Sequence, residues 1–169
     1  KQNNAALLVD DAHGIGVLGE RGSGSLNHSG ITANNDILQM ITFGKALATH
    51  GAAIAASRNV VDYLVNHCRD YIYSTAMSPA NAAATITSIN LCQSENWRRD
   101  KIKSLTKLFK QKLDDTIEVV SSDSSIVALI VGSAENALYC QNELRKHGFW
   151  LTAIRPPTVE RGKSRLRVT

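Results

Sequence analysis

The stretch LLVDDAHGIGVLG, Leu7 to Gly19, decides the fold. A short apolar run, AALLVD, ends in two carboxylates, passes a histidine, and then carries glycine at positions 14, 16 and 19. A continuous apolar run of this length predicts a strand covered on both faces. The three glycines match the G-x-G-x-x-G of a dinucleotide-binding turn. That turn needs its glycines at the strand end and a helix directly after them, so that the helix N-terminus meets a pyrophosphate. Here Asp10 to His13 intervene, and ERGSGS, which cannot be that helix, follows Gly19. Glycine at this density predicts a loop over GIGVLGERGSGSLNHSG.

The chemistry then falls on the residues before the glycines. Asp10 stands at the C-terminal end of the strand, where α/β sheets place ligand-binding groups. Alternation turns Asp11 to the opposite face, and Asp11, like His28, His50, His67 and His147, is expected to be structural or superficial. His13 lies where the chain turns. A second strand-like run, DILQMITFG, is followed by Lys45 in the turn of TFGKALATHGAA. Its neighbours are apolar or small, which predicts a buried lysine, and a desolvated lysine is a usable amine nucleophile. An acid, an imidazole and an amine at strand ends have one well-known joint use. They hold pyridoxal 5'-phosphate (PLP), with the lysine as its Schiff-base partner and the acid on the pyridinium nitrogen.

Elsewhere the pattern alternates strand and helix, which predicts an α/β or α+β class. NVVDYLVNHCRDY and SPANAAATITSINLCQSE read as helices, the second with Ser78 as N-cap and Pro79 at the first helical position. NWRRDKIKSLTKLFKQKLDDT reads as a long amphipathic helix with an apolar stripe of Ile102, Leu105, Leu108, Phe109 and Leu113. SIVALIVG predicts a strand, SAENALYCQNELRKHG a helix stopped by Gly148, and FWLTAI and SRLRVT two strands. A composition shift near residues 93–97 predicts two domains, 1–95 and 96–169.

Bulk properties narrow the class. The 169 residues are 43% hydrophobic and 20% charged, an ordinary globular balance. No apolar run approaches the roughly 20 residues that span a bilayer, and the opening residues do not read as a signal peptide. The net charge of +4 is spread along the chain, which argues against a nucleic-acid partner. Cys68, Cys92 and Cys140 lack metal-ligand spacing and are expected to be buried thiols of a reducing, cytoplasmic compartment. The abrupt ends suggest a piece of a longer chain.

Four segments in one order, VDDAHGIGVLGERGSG, TFGKALATHGAA, YIYSTAMSP and TAIRPPTVERGKSRLRVT, resemble the α-oxoamine synthase family of fold-type I PLP enzymes. The resemblance implies an α/β fold: part of an aspartate aminotransferase-like large domain with a mainly parallel sheet, plus most of a smaller α+β C-terminal domain. It implies PLP as cofactor, Asp10 on the pyridine nitrogen, His13 on the phenolic oxygen, and Lys45 as Schiff-base lysine and proton carrier. It further implies Thr42, Ser74 and Thr75 at the cofactor phosphate, the last two across a homodimer interface, and Arg155, Thr158 and Arg167 at the substrate. Arg165 shares a face with Arg167, so spacing alone does not choose between them. The implied reaction is decarboxylative condensation of an amino acid with an acyl thioester. IRPPTV points to the branch using L-alanine and a pimeloyl group on CoA or acyl carrier protein. A glycine-using acetyltransferase and a non-catalytic interaction subunit of the same fold are the alternatives. Family chains are roughly twice as long, so these residues alone are expected to be inactive.

Overall fold

A computed structural model describes residues 5–169. It divides into two compact units, Lys1–Arg99 and Asp100–Thr169.

In the first unit, β1 (Leu7–Asp10) pairs in parallel with β2 (Ile37–Thr42), and β2 pairs antiparallel with β3 (Ala52–Ala55). Parallel pairing brings the C-terminal ends of β1 and β2 to the same edge, with Asp10 opposite Met40. The expected double covering of β1 is not supplied by the described residues: Leu8 is 65% exposed. The sequence reading also missed β3. Its residues, Ala-Ala-Ile-Ala, have weak strand preference and no alternation, and the strand exists because β2 offers it a ladder.

The loop after β1 is built around Asp11, which is only 2% exposed. Its Oδ2 accepts from the Ser25 N–H at 3.0 Å and from Gln39 Nε2 at 2.6 Å. Its own N–H donates to the Met40 carbonyl at 2.9 Å, and its carbonyl accepts from Gly14 and Ile15. A Cβ on Gly14 would lie 1.9 Å from Asp11 Oδ1, and one on Gly24 would lie 2.0 Å from Oδ2. The glycines are therefore spaced to admit a carboxylate. Contrary to the all-loop expectation, a 3₁₀ turn (Glu20–Gly22) and a one-turn helix, α1 (Ser25–His28), form here. They form because Gly19 and Gly24 sit before the turns at positive φ.

The helix expected over residues 59–71 is interrupted at Cys68, which is extended between α2 (Arg58–His67) and α3 (Arg69–Ile72). The next helix, α4 (Pro79–Ser94), starts as expected, with Ser78 accepting from the Asn81 N–H. Arg99, in α5 (Asn96–Lys112), is buried over the C-terminal end of α4 and donates to the Cys92 carbonyl at 2.7 Å. A cation there complements the partial negative charge of a helix end.

In the second unit, β4 (Val127–Gly132), β5 (Thr152–Ile154) and β6 (Ser164–Val168) form an antiparallel sheet in the order β4-β6-β5. Val127, Leu129 and Leu166 are its buried centre, with Phe109 and Leu113 packed against them. The expected apolar stripe of α5 is thus only partly used: Leu105 and Leu108 are half exposed. Opposite the core, Arg165 and Arg167 share the other face of β6. α6 (Ala134–Lys146) is capped by Ser133, which accepts from the Asn136 N–H at 3.0 Å. Glu135, in its first turn, has its carboxyl held below the usual range by its own backbone N–H and by Ser133. The three cysteines are free and half-buried, not fully buried. Among the described residues no helix is long and apolar enough to cross a membrane.

Two unfolding comparisons test this packing. Gly24 and Gly30 both have positive φ, but nothing lies within 4 Å of a Cβ on Gly30. Gly30→Ala should cost about 1–2 kcal/mol of backbone strain. Gly24→Ala should exceed it by a further ~1–3 kcal/mol, because it dislodges the buried carboxylate from its donors. Equal denaturation midpoints would refute the wedge. Leu166→Ala should cost about 2–5 kcal/mol, whereas Leu105→Ala should stay within about 0.5 kcal/mol; equal losses would restore the full α5 stripe.

Candidate active site

The two parallel strands deliver their loops to one edge. Asp10 is exposed there, and its Oδ1 accepts from the Ala12 N–H at 3.1 Å, which fixes the carboxylate's orientation. Adjacent strand residues point to opposite faces, so Asp10 lies on the face opposite the Asp11 cluster. His13 is exposed in the turn that follows.

Lys45 lies in the turn between β2 and β3. Backbone bonds close this turn: Ala48 N–H to Lys45 carbonyl, Thr49 N–H to Phe43 carbonyl, and Phe43 N–H to Gly51 carbonyl, each at 2.9 Å. The buried lysine expected from its apolar neighbours is not found. Lys45 is exposed, and it is Leu47, two residues on, that fills the interior. The apolar letters around the lysine belong to the turn's anchor, not to a pocket for the amine.

The loop bearing His13 and the turn bearing Lys45 meet. A Cβ on Gly16 would lie 2.7 Å from the Ala46 Cβ, so only glycine allows this approach. Asp10, His13 and Lys45 are thus carried to one sheet edge by two loops in contact. Thr42, at the end of β2, donates its hydroxyl to the Gly51 carbonyl at 3.3 Å. As arranged, that oxygen is an acceptor towards any ligand. Ser74 and Thr75 are exposed between α3 and α4, and the Ser74 hydroxyl donates to the Asp70 carbonyl.

The other three candidates lie in the second unit. Arg155 is exposed in the turn after β5, and its carbonyl accepts from the Thr158 N–H at 3.0 Å. Arg165 turns its Nε onto the Lys163 carbonyl at 3.1 Å. Arg167 differs: its Nε is buried with no hydrogen-bond partner among the described residues. Spacing left these two arginines equivalent, and the hydrogen bonds separate them. A buried unpaired guanidinium donor is costly unless an anion engages it.

Sequence reasoning missed the part played by Asp11 and Gln39. The signal was present in the two glycines that flank the carboxylate in space, Gly14 and Gly24, but their common partner is visible only once the loop is closed.

Comparison with known proteins follows the same lines. The chain is 42% identical over 170 residues to an 8-amino-7-oxononanoate synthase of Alkalilimnicola ehrlichii, matching 100% of this chain and 44% of the relative. It is 46% identical to that of Cellvibrio japonicus, over 99% of this chain and 42% of the relative. Among solved structures, 8-amino-7-oxononanoate synthase from Francisella tularensis superposes with a TM-score of 0.83 at 29% identity, covering 95% of this chain and 48% of that one. Serine palmitoyltransferase from S. paucimobilis, solved with PLP and myriocin, gives 0.84 at 25% identity, covering 98% and 42%. The chain therefore spans less than half the length of the curated relatives it matches. The model of the family described as aminotransferase class I and II matches residues 1–169. With the strand-end acid and lysine on a fold shared with such enzymes, the chain belongs to the aminotransferase class I and II family.

Proposed function

We propose that the protein carrying this chain is a PLP-dependent acyltransferase. It condenses L-alanine with a pimeloyl thioester, on CoA or acyl carrier protein, releasing the carrier thiol and CO₂ to give 8-amino-7-oxononanoate for biotin synthesis. The observation that carries the reading is the contact of the His13 loop with the Lys45 turn at Gly16 and Ala46, at the edge where β1 ends in Asp10.

The donor set suits a pyridoxal ring. A carboxylate already oriented by the Ala12 N–H would keep the pyridine nitrogen protonated, His13 would bond the phenolic oxygen, and the exposed amine of Lys45 is sterically available to a carbonyl. Bound there, the ring draws electrons from the α-carbon of an attached amino acid. The chain's residues supply the rest. Asp10 holds the charge that this electron flow requires, and Lys45 moves the α-proton, a task worth typically ~10²–10⁴-fold. Thr42, Ser74 and Thr75 would serve the phosphate, the last two from a second subunit of a homodimer. Thr42 and Ser74 must first release the carbonyls they now hold. Arg167, with its unpaired Nε, is the better carboxylate clamp of the β6 pair. Arg155 and Thr158 complete the substrate contacts. Residues 1–95 form the end of the large domain and 96–169 the small one, in a cytoplasmic enzyme.

A second reading, another α-oxoamine synthase such as glycine C-acetyltransferase, is supported by the equal fold similarity to serine palmitoyltransferase. Backbone shape does not choose between them; the 41–46% identity to 8-amino-7-oxononanoate synthases favours the first.

In the full-length protein, Lys45→Ala should abolish the visible absorbance gained on adding PLP and cut turnover by at least ~10²-fold. An unchanged chromophore would overturn the lysine assignment. L-alanine with a pimeloyl thioester should turn over in preference to glycine with acetyl-CoA. The reverse preference would move the protein to the second reading, and failure to bind PLP would leave a non-catalytic homologue.

A further inference from the structure

The turn that bears Lys45 is gripped by a polar stripe on α4. Asn81, Thr85 and Ser88 fall at i, i+4 and i+7, one face of the helix. Asn81 brackets His50: its Oδ1 accepts from the His50 N–H at 3.2 Å, and its Nδ2 donates to the His50 carbonyl at 2.7 Å. The Thr85 hydroxyl lies 2.9 Å from that of Thr49 and 2.8 Å from the Asn81 carbonyl one helical turn back, and the Thr49 hydroxyl lies 3.4 Å from the Phe43 carbonyl, each hydroxyl having one proton to give. Ser88 donates to the Leu47 carbonyl at 2.6 Å. These ties span the turn from Phe43 to His50, and none engages Lys45 itself.

This face is unusual for a packed helix. The side of a helix that meets its own domain is ordinarily apolar, and Thr85 is 5% exposed. A buried hydroxyl is tolerated only when it is hydrogen-bonded, and the Thr85 oxygen meets both its own helix, at the Asn81 carbonyl, and the lysine turn, at Thr49. Apolar packing would hold the helix in place without fixing where individual carbonyls point. Hydrogen bonds fix exactly those directions, and the turn needs fixing: Ala48, a residue with a Cβ, is at φ +53.

We propose that Asn81, Thr85 and Ser88 are positioning residues, which hold the Phe43–His50 turn so that the Lys45 amine is presented at the sheet edge beside Asp10. The inference rests on reading Lys45 as the cofactor-bearing amine, and its test is chosen to be separable from that reading. Thr85→Val keeps the side chain's shape and removes the hydroxyl. In the cofactor-free full-length protein, amide hydrogen exchange over residues 43–51 should quicken at least tenfold, with peptides over 127–168 unchanged. In the PLP-loaded protein, kcat should fall about tenfold with little change in KM, and the pH midpoint of the visible band should shift. Thr85→Ser should restore all three, and the milder Ser88→Ala should reproduce the exchange change if Thr85→Val folds poorly. Wild-type exchange over 43–51 in both variants would overturn the proposal. So would losses that follow the melting temperature alone and are not rescued by serine. Failure to bind PLP would strike the reading of Lys45 and leave the exchange result to decide the positioning role.

Discussion

The buried carboxylate of Asp11 is the constraint on which the first unit depends. It takes hydrogen bonds from the start of α1 and from Gln39 on the neighbouring strand, and it is tolerated only because Gly14 and Gly24 leave it room. A carboxylate enclosed in this way fixes the path of the chain out of β1. Asp10 must then face the opposite side, and His13 must lie on the outside of the turn. The doublet Asp10–Asp11 divides its labour through strand alternation: one acid builds the loop, and the other is left exposed at the edge.

The second element of the site depends on the first. Once Asp11 has set the loop, Gly16 approaches Ala46 and Gly22 packs near Cys92 on α4 and the Arg99 guanidinium. The helix that receives Gly22 near its C-terminal end also carries, from its first turn onward, the stripe that grips the lysine turn. The glycine-rich loop, the lysine turn and α4 are therefore one packed arrangement, and the exposed groups at its edge inherit their positions from it. Of the three exposed groups, the Asp10 carboxylate is oriented by the Ala12 N–H, and the Lys45 turn is fixed through its backbone.

Much of this was legible in the sequence. The strand ending at Asp10, the second strand ending before Lys45, the cap at Ser78 and the stop at Gly148 all follow from local rules that the structure obeys. What was not legible depends on partners distant in sequence. β3 is alanine-rich and has no signal of its own; it exists because β2 can pair with it. The neighbours of Lys45 suggested a buried amine, but a run of small and apolar residues can equally mean that one of them, Leu47, is the anchor. The polar face of α4 gave no amphipathic pattern because its interior side bonds to a turn and does not pack against a core. Leu105 and Leu108 fit a helical stripe in sequence, yet they stay half exposed among the described residues. In each case local periodicity could not reveal which distant group a residue would meet.

The most direct measurement is to locate the covalent attachment. The full-length protein, loaded with PLP, would be reduced with borohydride, digested and analysed by mass spectrometry. The account predicts a single pyridoxyl-lysine in the peptide spanning the turn after β2, on Lys45. Label on a lysine of α5 such as Lys103 or Lys107, or no stable label at all, would contradict it.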